Sequence, residues 1–118
     1  MPHLVIEYAQ NLEERISIPA LVSSAQESMS RSGLFAPHTI KIRALAFRDF
    51  IAGGSVEGSG SSFIHAEVRL FEGRSERDRE ALSSAVFNCL CQFADGVPAV
   101  TVEVREMDPG CYSKRVPF

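Results

Sequence analysis

Residues 63–96, FIHAEVRLFEGRSERDREALSSAVFNCLCQFADG, hold one complete passage from strand to helix. Phe63, His65, Glu67 and Arg69 alternate with Ile64, Ala66, Val68 and Leu70, the period of a strand with one face buried. Ser75, followed three residues later by Asp78, supplies a helix N-cap of the Ser-x-x-acid type. Leu82, Ala85, Val86, Cys89 and Phe93 then recur at helical spacing, and the stripe ends near Gly96. Beyond it, Val100, Val102 and Val104 alternate with Thr101, Glu103 and Arg105, which predicts a half-buried strand over Val100–Glu106.

The first part of the chain repeats this order. Leu4, Val5 and Ile6 form a continuous apolar run within a strand expected over His3–Tyr8. A polar connection, Gln10–Ser17, leads to Pro19 at the first helical position, where its fixed φ and missing N–H cost nothing. Leu21, Val22, Ala25 and Met29 mark one helical face, and Gly33 is placed to cap its end in the left-handed conformation. A second strand follows at about Thr39–Ile51, with Ile40, Ile42, Ala44 and Ala46 opposed to Lys41, Arg43 and Leu45.

Each half therefore reads as a βαβ unit, residues 2–51 and 63–106, within a single domain over 1–118. The expected fold is α/β (α+β): a four-stranded sheet with both helices on one face. The glycine- and serine-rich stretch Ala52–Ser62 is expected to join the halves flexibly. Because apolar residues occupy both sides of the first strand, the open sheet face is expected to need another subunit.

Composition narrows the function. A net charge of −3, with no basic run interleaved with aromatics, argues against nucleic acid as partner. No apolar run approaches membrane-spanning length, and Glu7 and Gln10 interrupt the first apolar stretch, so a cytoplasmic location is the default expectation. Three cysteines without CxxC spacing do not form a disulfide framework, and Cys89 reads as a small core residue. His3, His38 and His65 form no ligand pair, so no metal or other cofactor is expected.

Pro2 is a candidate for the chemistry, although proline often follows the initiator methionine for no catalytic reason. Removal of Met1, which a small second residue permits, would leave a secondary amine at the terminus. An α-amino group already titrates near pH 7.7–8.0, and burial or a neighbouring cation lowers that further, toward the value that suits a general base. Pro2 also leads directly into a buried strand, which pins the terminus.

Pro2-His3 with Leu4-Val5-Ile6-Glu7, Leu12-Glu13-Glu14, Pro19, Ser32-Gly33-Leu34-Phe35, the strand holding Lys41 and Arg43, Phe63-Ile64-His65 and Gly73-Arg74-Ser75 together resemble the tautomerase superfamily. Within it, the chain is most similar to the 5-carboxymethyl-2-hydroxymuconate isomerases, over nearly its full length. That resemblance implies a homotrimer with sites near subunit boundaries around the terminal proline. It implies a keto–enol isomerisation in aromatic-acid catabolism, in which the dienol of a dicarboxylate or tricarboxylate becomes its conjugated ketone. Pro2 would take the proton and return one to carbon without a cofactor.

The same resemblance makes Arg74, in the turn before the second helix, a catalytic partner whose planar fork grips a carboxylate. Lys41 stands where better-known members carry arginine, with Arg43 two residues on along the same strand face. Lysine supplies charge without the fork, so either Lys41 or Arg43 is the second substrate anchor. His65, on the polar side of the third strand, is a further substrate-binding candidate, although nothing local pairs with it and a structural role competes. His3 faces away from Pro2 and reads as structural. The Arg77-Asp78-Arg79-Glu80 run reads as a solvated helix face. Tyr112, Val116 and Phe118, in an irregular tail, are expected to dock on a neighbour. Two alternatives stay open: a non-catalytic ligand- or protein-binding member of the fold, and a tautomerase acting on arylpyruvates or 2-hydroxymuconate.

Overall fold

A computed structural model of the protein describes residues 1–53 and 61–117. Most of the expected Gly/Ser-rich link, and Phe118 of the tail, lie outside the described residues. The elements are β1 (His3–Ala9), α1 (Ile18–Arg31), β2 (Lys41–Phe47), β3 (Ile64–Phe71), α2 (Glu76–Cys91) and β4 (Val100–Met107), with short 3-10 turns at Gln10–Glu14, Pro37–Thr39 and Pro109–Cys111.

The four strands form one mixed sheet in the order β2-β1-β3-β4. β1 runs parallel to β2 and antiparallel to β3, and β3 runs parallel to β4. Two βαβ units thus meet edge to edge through β1 and β3. Leu4, Ile6 and Tyr8 of β1 and Ile64, Ala66, Val68 and Leu70 of β3 are buried on one face. Leu21, Ala25 and Met29 of α1 and Leu82, Val86, Cys89 and Leu90 of α2 complete the core above them. The helices also touch directly: Ser28 Oγ donates to the Ala85 carbonyl at 3.3 Å, and Cys89 Sγ approaches Ser24 Oγ at 3.4 Å.

Local chemistry sets the helix ends. Ser17 Oγ accepts from the Ala20 N–H, with Pro19 one position further into α1 than the sequence suggests. Gly33 closes α1 at φ +73°, and Ser75 Oγ accepts from the Asp78 N–H at 3.0 Å to open α2.

Two expectations need correction. β2 is shorter than Thr39–Ile51, because Pro37 starts a 3-10 turn before it and the pairing with β1 ends at Ala9↔Phe47. The connection after β1 is not merely polar: Leu12 is fully buried and Ile16 nearly so, which anchors it to the core. The open sheet face mixes apolar and charged side chains: Val5, Leu45, Phe47, Phe71 and Met107 alternate onto it with His3, Glu7, Lys41, Arg43, His65, Glu67, Arg69, Thr101, Glu103 and Arg105. No helix of the described residues is long and apolar enough to cross a membrane.

Candidate active site at the N-terminal proline

The register brings three separate segments to the start of β1. His3 pairs with Lys41 on one side and with Arg69 on the other, so the first residues sit between the beginning of β2 and the end of β3. Pro2 is less than 2% exposed, and its carbonyl accepts the Lys41 N–H at 3.1 Å. Just past β3 the chain turns through Gly73, whose φ of +112° disfavours any side chain, and presents Arg74 immediately before the α2 cap. The Arg74 guanidinium carbon lies 4.8 Å from the centre of the Phe35 ring, which fixes it by cation–π stacking.

The segment after β4 closes the same end of the sheet. Tyr112 meets Phe71 edge to face at 5.0 Å, and its hydroxyl lies 2.8 Å from His3 Nε2. Arg43 Nη1 lies 3.1 Å from His3 Nδ1. A guanidinium has only donors, so Nδ1 accepts and the Nε2–H is left to donate to Tyr112. Burial, and then the charges of Arg43, Lys41, Arg69 and the terminal amine, hold His3 below its ordinary value of 6.5.

The field at the terminus is positive. Burial first, then the cations Lys114, Lys41 and Arg74, push the N-terminal amine below its ordinary 8.0. Lys41 Nζ also lies 3.9 Å from the Met1 sulfur. Removing Met1 would move the terminal nitrogen along one residue, by roughly 3 Å, into the same field. An amine kept neutral beside several cations can accept a proton from an anionic acid while the cations hold its carboxylates.

Of the sequence candidates, Pro2, Lys41 and Arg74 converge here. Arg43 lies one step away and acts on His3. His65 stands elsewhere: it is opposite Glu7, about 16 Å further along β1 at the usual strand rise, on the open sheet face. It does have partners, contrary to expectation. Nε2 donates to Glu103 Oε2 at 3.1 Å and Nδ1 accepts from Thr101 Oγ1 at 2.7 Å, because β4 runs in register beside it. Possible ligand atoms of His65, Glu67 and Glu103 fall within 4.8 Å of one another. Those carboxylates are already engaged, Glu67 by Arg69 at 2.7 Å and Glu103 by Arg105, so the group is an ion-pair network.

Two members of the cluster were not singled out as site residues. Lys114 had no local signal, since a lysine in an irregular tail is ordinarily solvated. Phe35 belonged to a recognisable turn, but only the fold stacks Arg74 upon it. Within its own chain, Tyr112 packs against Phe71 and meets His3. A separate cleft of about 420 Å³ lies at the far end of the sheet, lined by residues including Glu13, Glu14, Phe47, Arg48 and Phe50. Its paired acidic side chains suit an anionic ligand less well than the Pro2 end does.

Residues 2–117 match the family model for 5-carboxymethyl-2-hydroxymuconate isomerase. Among solved structures, the chain is similar to a 5-carboxymethyl-2-hydroxymuconate isomerase from Deinococcus radiodurans R1, with 26% identity over 97% of this chain and 88% of that one, and a TM-score of 0.83. A 5-carboxymethyl-2-hydroxymuconate delta-isomerase superposes with a TM-score of 0.77 at 19% identity, covering 98% of this chain and 88% of that one. A fused 4-OT, described as a wild-type symmetric trimer, shares the fold at a TM-score of 0.73 and 17% identity over 91% of this chain and 88% of that one. No curated protein sequence matches this chain. The chain belongs to the 5-carboxymethyl-2-hydroxymuconate isomerase family, on the tautomerase fold.

Proposed function

We propose that this protein is a cofactor-free keto–enol isomerase that ketonises a 2-hydroxymuconate-type polycarboxylate, 5-carboxymethyl-2-hydroxymuconate, with the Pro2 amine as base. The observation that carries this reading is the buried Pro2 at the head of β1, one residue after a Met1 amine whose charged form burial, Lys114, Lys41 and Arg74 disfavour. Pro2 takes the proton of the 2-hydroxyl as the C=O bond forms. The dienolate electrons shift along the chain, and the pyrrolidinium returns a proton to carbon. One O–H bond is lost and one C–H bond is gained, with no net redox change. Arg74 and Lys41 hold carboxylates and offset the charge that develops on the dienolate. Assembly as a homotrimer belongs to the same reading, supported by the likeness to the fused 4-OT trimer.

The test is ketonisation of 5-carboxymethyl-2-hydroxymuconate, followed by ultraviolet absorbance, in the protein with Met1 removed and in its Pro2→Ala variant. Turnover that drops about 10²- to 10⁴-fold in the variant supports a general base at Pro2. Equal turnover in both rejects it. No turnover in either, with the substrate still bound, favours a ligand-binding member of the fold.

A further inference from the structure

We propose that the Tyr112 hydroxyl is a further substrate-binding group of the Pro2 site, a donor to a substrate carboxylate, aimed by His3 and Arg43. The inference rests on the reading of Pro2 as the reacting centre and extends the site to a residue outside both βαβ units.

A one-way chain of hydrogen bonds carries the argument. Arg43 Nη1 lies 3.1 Å from His3 Nδ1. A guanidinium only donates, so Nδ1 accepts and the proton of the neutral ring stands on Nε2. That N–H donates to the Tyr112 oxygen at 2.8 Å. Tyr112 therefore acts as an acceptor toward His3 and keeps its own O–H to donate. Among the described residues that hydrogen meets no acceptor, since the bond to His3 is the one the hydroxyl makes. Accepting a hydrogen bond also makes a hydroxyl a stronger donor, because the bonds of such a chain polarise one another.

The ring is held as well as its hydroxyl. Asp108 Oδ1 accepts from the Gly110 N–H at 2.9 Å in the turn Pro109–Cys111, and the Tyr112 N–H reaches the Pro109 carbonyl at 3.4 Å. The Tyr112 ring then meets Phe71 edge to face at 5.0 Å. Phe71 lies two residues past Arg69, the β3 partner of His3, so this packing belongs to the head of β1. On the other side His3 pairs with Lys41, whose N–H bonds the Pro2 carbonyl at 3.1 Å. Tyr112 and Lys41 thus flank the same two residues, one with a neutral donor and the other with a charge. The Cα atoms of Pro2 and His3 are about 3.8 Å apart, which sets the hydroxyl beside the reacting nitrogen and not upon it. That is the place of a carboxylate remote from the carbon being protonated. Such a carboxylate supplies the acceptor that the Tyr112 O–H lacks. His3 and Arg43 are positioning residues that act through this hydroxyl.

The experiment separates this inference from the reaction itself. Isothermal titration calorimetry reads the binding of muconate, a hexadienedioate without the 2-hydroxyl, to the protein with Met1 removed, so no turnover is needed. Tyr112→Phe keeps the ring on Phe71 and deletes the O–H. Its Kd rises about tenfold, the loss of one hydrogen bond to a charged group. His3→Ala releases the hydroxyl from its aim and raises Kd in the same direction. The His3→Ala/Tyr112→Phe double variant binds no more weakly than Tyr112→Phe alone, because His3 acts through the hydroxyl. In turnover of 5-carboxymethyl-2-hydroxymuconate, Tyr112→Phe raises KM about tenfold with kcat little changed, the split that marks a lost binding contact. A Kd in Tyr112→Phe equal to that of wild type overturns the proposal. Strict additivity in the double variant overturns it too, as does a wild-type protein that does not bind muconate. Binding weakened in Tyr112→Phe, in a protein without isomerase turnover, would keep Tyr112 in the site and reject the proposed reaction.

Discussion

The Arg74 guanidinium carbon lies over the Phe35 ring, 4.8 Å from its centre, linking the turn before α2 to the segment after α1. Neither residue is adjacent to Pro2 in sequence. The contact pre-orients a long side chain whose freedom would otherwise oppose substrate binding. Phe35→Leu keeps apolar bulk and removes the ring face. The expected result is an increase of about fivefold in KM, with kcat nearly unchanged, since a half-buried cation–π contact of this kind contributes roughly 1 kcal/mol. Steady-state kinetics check it; an unchanged KM would mean that Arg74 needs no support.

The pH profile follows from the amine. A base must be neutral to act, so kcat/KM should fall on the acidic side as the terminal amine gains its proton. Burial, Lys114, Lys41 and Arg74 hold the Met1 amine below 8.0, and the Pro2 nitrogen freed by its removal enters the same field, so the acidic limb should have its midpoint below that value. Arg74→Ala and Lys41→Ala each remove a cation and should move the limb to higher pH. A limb that stays in place in both variants would show that burial alone tunes the amine.

Stability should also respond to acid through His3. Its folded-state value lies below the ordinary 6.5, so the unfolded chain binds the proton more readily. The stability contribution of neutral His3 is complete above about pH 6.5. It is lost as pH falls through the window between that value and the lower folded one. His3→Gln should flatten this part of the curve, as read from urea midpoints at pH 7.5 and 5.5. An equally steep loss in the variant would assign the acid sensitivity to other groups.

Gly73 tests the turn that aims Arg74. At φ +112° a Cβ meets no neighbour within 4 Å, so a substitution there is opposed by backbone conformation and not by crowding. Gly73→Ala should lower the unfolding free energy by about 1–3 kcal/mol. It should also raise KM beyond what a comparably destabilising core change does, because Arg74 is displaced. Chemical denaturation and kinetics together distinguish the two effects.

Much of the architecture was legible in the residues because alternation and helical spacing depend only on local geometry. Ile64, Ala66, Val68 and Leu70 alternate into the core as their spacing requires, and Ser75 caps α2 as a serine three residues before Asp78 should. Leu12 escaped that reading: one apolar residue in a polar stretch has no period, yet it is fully buried. His65 shows the same limit for the site. Its face of the strand was evident, whereas its bonds to Thr101 and Glu103 depend on which strand lies alongside β3.

The sequence by itself determined the order of elements, the buried faces, and Pro2 and Arg74 as candidates, since each rests on residue type, short-range spacing or a motif. Only the tertiary structure decided the order β2-β1-β3-β4, the company of Lys41 and Lys114 at the terminus, and the clasp of Tyr112 on His3. The clasp of Tyr112 on His3 alone spans 109 positions of chain. Strand pairing and packing bring such residues together, and local spacing carries no record of them.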